Sequence, residues 1–273
     1  MKQENLKLGF IGAGNMATAI AKGVLAVRLI DADRLYVSDI DDSRRREFRQ
    51  ATSANILGSN SAVVSKTDVV ILAVKPQHMD AVLKEIGPLF EERHLVISIA
   101  AGVPTSRIEK FMRNGVRLVR AMPNTPMLVG AGAAALCTGR WAGDDDLALA
   151  REIFGSSAAV VTVDEKDMDA VTAVSGSGPA YFFYFTEAMI KAGVALGLVE
   201  ETAKTLARQT AFGAGKMLAE VPETPEELRG RVTSPGGTTE AAIKSMIRAG
   251  VAESIAKAIE AAATRSKELG EKV

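Results

Sequence analysis

The stretch "LKLGFIGAGNMATAIAKGVL", residues 6–25, constrains the fold more than any other. Leu6 to Ile11 read as a buried strand. Gly12, Gly14 and Ala17 then give G-x-G-x-x-A, and Met16 to Leu25 carry helix-forming residues. Strand, tight turn and helix in that order open a dinucleotide-binding α/β fold. Gly12 permits the turn, Gly14 lets a pyrophosphate approach the backbone, and Ala17 lets the helix pack closely on the strand. The helix start offers unpaired N–H groups and a partial positive charge to phosphates.

The same alternation continues. "RLYVSDID" predicts a second strand with Asp39 at its carboxyl end, where an acidic residue binds the adenosine ribose and disfavours a 2′-phosphate. Arg44 or Arg45 of the following "DDSRRR" could instead reach such a phosphate, or simply form a solvated helix face. NADH and NADPH therefore both stay open. "ANIL" is a short strand, after which Asn60 either caps a helix or touches adenosine. "TDVVILAVKP" has the continuous apolar character of a central parallel strand. "HLVISIAAGVP" and "VRLVRAMPNTP" are further strands, and "GAAALCTG" and "AAVVTV" flank the helix "DDLALAREIF". Ligands of such sheets bind beyond the carboxyl ends of the strands, which points to Val74, Lys75, Ala100, Ala101 and the segment 122–125. A solvated loop lysine is the competing reading of Lys75. The acidic run Asp144–Asp146 suits a helix first turn and is assigned no chemistry.

From about Glu165 the pattern becomes helical, which divides the 273 residues into 1–164 and 165–273. Tyr181 to Phe185 are five consecutive aromatics, enough to cover every face of a helix, so the segment should be buried all round. About a hundred residues would struggle to do this alone, and a dimer with intertwined helices is expected. "PETPEELRGRV" predicts a short helix with a capping box from Thr224 to Glu227.

Other classes find little support. Lys plus Arg and Asp plus Glu number 33 each, so nothing favours nucleic acid or an anionic membrane as partner. No apolar run reaches the ~18 residues of a membrane span, and the polar N-terminus is unlike a signal peptide. A cytoplasmic protein is the expectation. Cys137 is alone and reads as a small buried apolar residue. With only His78 and His94 besides, no metal site is expected.

"RVTSPGGTTEAAI", residues 231–243, interrupts the helical half. "SPGG" alone is an ordinary Pro-Gly turn. Two glycines, however, leave consecutive N–H groups unobstructed, and the threonines open a new helix where donors converge on an anion. A carboxylate there would gain ~0.3–2 kcal/mol from the dipole and ~1.5–3 kcal/mol per charged hydrogen bond. A nicotinamide cofactor implies hydride transfer, and carbonyl reduction would call for a proton donor. The hydroxyacid dehydrogenases that share this two-domain plan place a lysine after G-x-G-x-x-x; here Gly176 and Gly178 fit but the lysine position is Phe182. A cyclic imine asks for less, because hydride addition neutralises an iminium, and a threonine hydroxyl could hold its nitrogen.

"GFIGAGNMA", "LAVKP", "MPNTP", "AVSGSGPAYFF" and "VTSPGGTT", in this order, resemble the pyrroline-5-carboxylate reductases over essentially the whole chain. The resemblance implies an N-terminal Rossmann-type parallel sheet domain and an all-α C-terminal dimerisation domain, with dimers often assembled five at a time into decamers. It implies reduction of 1-pyrroline-5-carboxylate to L-proline with NADPH or NADH, the last step of proline biosynthesis. By matching motif, Gly12, Ala13, Gly14, Asn15 and Met16 would bind the pyrophosphate. Asp39 and Asn60 would lie near adenosine, and Val74, Lys75 and Ala101 would line the groove. Ser234, Gly236, Gly237 and Thr238 would hold the substrate carboxylate, and Thr239 would bond the ring nitrogen and assist protonation. Glu165 matches a position near the substrate. Ser175 and Ser177 read as capping and packing residues near the nicotinamide. A reductase of a six-membered imine acid and a nicotinamide sensor without turnover are the competing readings.

Overall fold

The structure, a computed structural model, describes residues 6–272; the polar opening at 1–5 lies outside them. The chain forms two compact units, Met1–Ser177 with Ala262–Val273, and Gly178–Ala261.

In the first unit the strands are β1 (Leu8–Ile11), β2 (Leu35–Ser38), β3 (Asn55–Ile56), β4 (Val69–Leu72), β5 (Leu95–Ser98), β6 (Arg117–Pro123), β7 (Gly132–Thr138) and β8 (Ala158–Thr162). The helices are α1 (Asn15–Ala26), α2 (Asp42–Thr52), α3 (Asn60–Lys66), α4 (Met79–Ile86), α5 (Thr105–Glu109), α6 (Asp144–Gly155) and α7 (Met168–Val171). One sheet runs in the order β3-β2-β1-β4-β5-β6-β7-β8. All neighbours are parallel except β6 and β7. The strand order reverses between β1 and β4; β2 and β4 flank β1, pairing with its Leu8 through Leu35 and Val69.

Successive strand residues point to opposite faces, and both faces are covered. Leu8, Phe10, Val69, Ile71, Leu95 and Ile97 join one core with Ile20 and Val24 of α1 and Phe48 of α2. Ile11, Val70, Leu72 and Val96 join a second core with Val63, Leu83 and Phe90. Phe10 and Phe48 meet at 5.5 Å between ring centroids. Truncating a side chain such as Phe48 to alanine removes contacts worth ~3–5 kcal/mol. Helix α6 starts on its acidic run, as its dipole favours: Asp146 accepts the Gly143 N–H at 3.0 Å and pairs with Arg117 at 2.8 Å.

The expected division after residue 164 falls inside this unit. Residues 165–177 stay with the sheet because Glu165 bonds Thr105 and Arg120, and Met168 is buried beside Ala135 and Cys137. The chain's last turns return as well. Ser266 donates to Asp169 at 2.7 Å, and Gly102, at φ +75°, lies so close to the Ser266 carbonyl that a Cβ would stand 2.9 Å from it.

The second unit holds α8 (Gly178–Ala195), α9 (Glu200–Glu220), α10 (Pro225–Arg231), α11 (Thr238–Arg248) and the first half of α12 (Val251–Lys272). Gly193 lets α8 approach α9, since a Cβ there would lie 3.3 Å from Ala203 Cβ. Helix α8 ends in a Schellman turn: Gly197 has φ +98°, its N–H reaches the Val194 carbonyl, and the Leu198 N–H reaches the Gly193 carbonyl. The Thr224–Glu227 capping box forms with both hydrogen bonds, at 2.8 and 3.2 Å. Burial all round is not what the aromatic run shows within one chain. Phe182 is 64% exposed and Tyr184 75%. The reason is size: among the described residues of this unit only Gly178, Ala203 and Ala207 are fully buried. Five helices with so small a core leave an apolar surface that asks for a partner.

Candidate active site

The turn after β1 has the geometry its glycines require. Gly12 adopts φ +101° and a Cβ there would stand 2.7 Å from the Ala73 carbonyl oxygen, so only glycine fits. Gly14 is the N-cap of α1 and supplies no side-chain cap. A Cβ on Gly14 would meet no protein atom, so the helix start is open at this point. Backbone donors at Asn15 and Met16, a helix dipole and free space suit a pyrophosphate.

Asp39 stands just beyond β2. Its carboxylate accepts the Ala13 N–H at 2.7 Å and the Asp41 N–H at 2.9 Å. Ala13, expected among the pyrophosphate ligands, thus directs its N–H to Asp39. Asn60 is the first residue of α3, whose N-cap is Ser59. The Asn60 amide accepts from Ser38 Oγ at 2.8 Å and donates to Glu85 at 2.9 Å. The two candidate arginines pair locally, Arg44 with Asp41 and Arg45 with Asp42.

Beyond β4, Val74 is half-buried and Lys75 exposed, in extended conformation before the turn at Pro76–His78. Beyond β5, Ala101 is half-buried and precedes Gly102 in the turn backed by the end of α12. Because β1, β4 and β5 are parallel, these segments all leave the same edge of the sheet as the Gly12 turn.

Glu165 is heavily engaged within this unit. Oε1 accepts the Thr105 N–H at 2.6 Å and Arg120 at 3.2 Å, and Oε2 accepts Thr105 Oγ1 at 2.6 Å. Arg120 is buried in the sheet and needs this counter-charge. Neither Arg120 nor Thr105 was foreseen, although an arginine inside the apolar run "RLVRAMP" signals a buried partner. Cys137 is buried on the neighbouring strand, as expected. Burial, and secondarily the Glu165 charge, push its thiol up to about 12, so it stays protonated and inert.

In the second unit, Ser234 to Thr239 form a turn and a helix start. Gly236 has φ +74°, and the Gly237 N–H closes on the Ser234 carbonyl at 3.0 Å. A Cβ on Gly237 would stand 2.6 Å from Ser234 Oγ and 3.0 Å from the Ser234 carbonyl oxygen, so a side chain there would crowd the turn. Gly237 caps α11 without a side chain, and Thr238 and Thr239 are the helix's first residues. The Gly236 N–H donates to a carboxylate already present, Glu240 Oε2 at 3.0 Å. Glu240 also pairs with Lys244 at 3.0 Å. That ion pair first, and the Gly236 N–H second, hold the Glu240 carboxyl below its ordinary range. Glu240 was not foreseen either; its place three residues after the N-cap is the capping-box spacing.

Among the described residues, no group of three or more His, Cys, Asp or Glu is placed to hold a metal ion, and no helix is long and apolar enough to cross a membrane.

The family described as pyrroline-5-carboxylate reductase dimerisation matches residues 165–269, and that described as NADP oxidoreductase, coenzyme F420-dependent, matches residues 7–102. The pyrroline-5-carboxylate reductase of Methanosarcina acetivorans is 40% identical over 269 residues, covering 98% of this chain and 100% of its own. That of Pseudomonas aeruginosa is 41% identical over 268 residues, covering 98% of each chain. The Coxiella burnetii enzyme structure superposes with a TM-score of 0.90 at 39% identity, covering 97% of this chain and 98% of the other. The Plasmodium falciparum enzyme structure, with NADP bound, gives 0.87 at 34% identity, covering 98% and 99%.

Proposed function

Since the chain belongs to the pyrroline-5-carboxylate reductase family, we propose that it reduces 1-pyrroline-5-carboxylate to L-proline in proline biosynthesis, with NADPH or NADH as reductant. The observation that carries the reading is the end-to-end match to reductases at about 40% identity, with the dimerisation family covering 165–269. Self-association follows from that match, and the exposed aromatics of α8 supply an apolar surface for it. Assembly into five dimers and a cytoplasmic location belong to the same proposal.

In this reading Gly12, Gly14, Asn15 and Met16 bind the pyrophosphate. Ala13 serves through its bond to Asp39, which with Asn60 meets the adenosine side. Val74, Lys75 and Ala101 line the groove. Bound there, the reduced nicotinamide supplies a hydride. Ser234, Gly236, Gly237 and Thr238 hold the substrate carboxylate at the start of α11, where the dipole and backbone N–H groups favour an anion. Thr239 Oγ1 bonds the ring nitrogen, orients the C=N carbon and assists protonation. No strong acid is needed, because hydride addition discharges an iminium. Glu165, which matches a family position near the substrate, also holds Thr105 and Arg120.

Loss of reduced-nicotinamide absorbance on adding 1-pyrroline-5-carboxylate, with L-proline as product, tests the activity; no loss with either dinucleotide overturns it. Thr239→Val should keep its fold and lose about tenfold or more in turnover. Unchanged turnover would remove Thr239 from the chemistry.

A further inference from the structure

The strand β6 grips the segment 165–177 along one face. Arg120, Met122 and Asn124 alternate, so their side chains share that face, and Asn124 continues the strand in extended conformation, at φ −122°. Arg120 holds Glu165 at 3.2 Å. The Met122 methyl lies against Gly176, where any Cβ would run into it. Asn124 donates from Nδ2 to the Ser175 carbonyl at 3.1 Å. Three successive contacts thus fix one segment, the last two at its end.

Asn124 is buried and every polar group it has is used. Its N–H reaches the Ala133 carbonyl at 3.1 Å, its Oδ1 accepts the Ala133 N–H at 2.8 Å, and its carbonyl accepts the Met127 N–H at 3.2 Å. The side-chain amide therefore bridges β7 and the Ser175 carbonyl, which requires an acceptor and a donor on one short side chain. The segment it holds is a π-helical turn, Thr172–Gly176, closed by the Ser177 N–H on the Thr172 carbonyl at 2.8 Å. Such turns are rare and occur frequently at functional sites. Strands β5 and β6 are parallel, so Asn124 leaves the sheet at the same edge as the Gly12 and Ala101 turns, where ligands of this fold bind.

We propose that Asn124 is a positioning residue for hydride transfer: its amide fixes the Ser175–Ser177 turn at the carboxyl edge of the sheet, and so the geometry in which the dinucleotide meets the imine. The inference rests on the reductase reading. It assigns Asn124 no contact with substrate or cofactor; the residue acts through the turn.

Asn124→Asp separates the two halves of the amide. It keeps an acceptor for the Ala133 N–H, removes the donor, and sets a carboxylate oxygen against the Ser175 carbonyl. In the purified full chain, the expected result is a fall in kcat of about tenfold or more, as misplacement of reacting groups produces. The isotope effect with dinucleotide deuterated at nicotinamide C4 should rise, while the Kd for NADH and NADPH changes by less than about threefold. Amide exchange should quicken at 172–177 and not at Ala133. Asn124→Ala removes the donor without setting a charge against the Ser175 carbonyl and should show a similar fall in kcat with the same spared Kd, which keeps the test intact if the aspartate variant does not fold. A kcat within about twofold of wild type in both variants overturns the proposal. So does a loss of dinucleotide affinity that parallels the loss of kcat, the result of a merely loosened fold. A wild-type chain inactive on 1-pyrroline-5-carboxylate would overturn the reductase reading instead; the exchange measurement would still decide whether Asn124 holds the turn.

Discussion

The Ala13 N–H donates to Asp39 Oδ2 at 2.7 Å, tying the glycine turn after β1 to the end of β2. The other oxygen takes the Asp41 N–H at 2.9 Å. A carboxylate anchored twice by the backbone cannot swing away from an incoming 2′-phosphate, and it stands where the strand order of the fold puts the adenosine ribose. Arg44 and Arg45 are meanwhile drawn to Asp41 and Asp42 on their own helix.

The wild-type chain is therefore expected to use NADH with higher kcat/KM than NADPH. Asp39→Ser should raise the NADPH-to-NADH ratio by about tenfold or more, since one charged hydrogen bond is worth ~1.5–3 kcal/mol. Steady-state kinetics with both dinucleotides measures it. A wild-type preference for NADPH, or a ratio unmoved by the substitution, contradicts the assignment.

What the sequence disclosed follows the range of each interaction. Gly12, Gly14 and Ala17 announced the nucleotide turn because that turn is local, and Thr224 announced its bond to Glu227 three residues on. The aromatic run from Tyr181 was legible as surplus apolar surface, but periodicity says that a face wants covering, not what covers it. The pairs Asp39–Ala13, Asn124–Ser175 and Glu165–Arg120 join residues far apart along the chain. Each depends on the strand order, which no one-dimensional pattern contains. Glu240 is the reverse case: its contact with Gly236 is local, yet a chain of helix formers hides it.

Glu240 occupies a donor that the reductase reading gives to the substrate carboxylate. In that reading substrate displaces it, while Lys244 already holds the other Glu240 oxygen at 3.0 Å. Glu240→Gln should accordingly lower the KM for 1-pyrroline-5-carboxylate severalfold, by weakening the internal competitor and removing a like charge. A raised KM would instead mean that Glu240 holds the loop ready for substrate.

The stability of the first unit should depend on pH through His94. The ring is buried; Nδ1 accepts the Glu91 N–H at 2.9 Å, which leaves Nε2 to donate to the Val64 carbonyl at 3.1 Å. Burial first, and then the nearby Arg93 charge, lower its pKa, so the folded state keeps the imidazole neutral. The unfolded chain binds a proton below about pH 6.5. Between that value and the lowered folded one, the unfolded state holds more protons, so stability is whole above about pH 6.5 and falls as pH drops, by up to ~1.4 kcal/mol per unit. Urea midpoints measured across this range should fall less in His94→Gln than in wild type; equal slopes would exclude His94 as the cause.

Glu165→Ala tests whether this carboxylate acts on structure or on substrate. Removing it leaves Arg120 charged and buried without its partner, and strips Thr105 of two hydrogen bonds. A fully buried pair broken in this way costs ~3–5 kcal/mol, but the Glu165 side chain is 32% exposed, so water moderates the loss to ~2–3 kcal/mol. Glu165→Gln retains an acceptor for the Thr105 N–H and should be destabilised less. Both should lower the thermal midpoint in that order, while the KM for 1-pyrroline-5-carboxylate moves little. A KM raised tenfold or so at unchanged thermal midpoint would place the carboxylate against the substrate itself, since only a lost binding contact separates the two readouts in that direction.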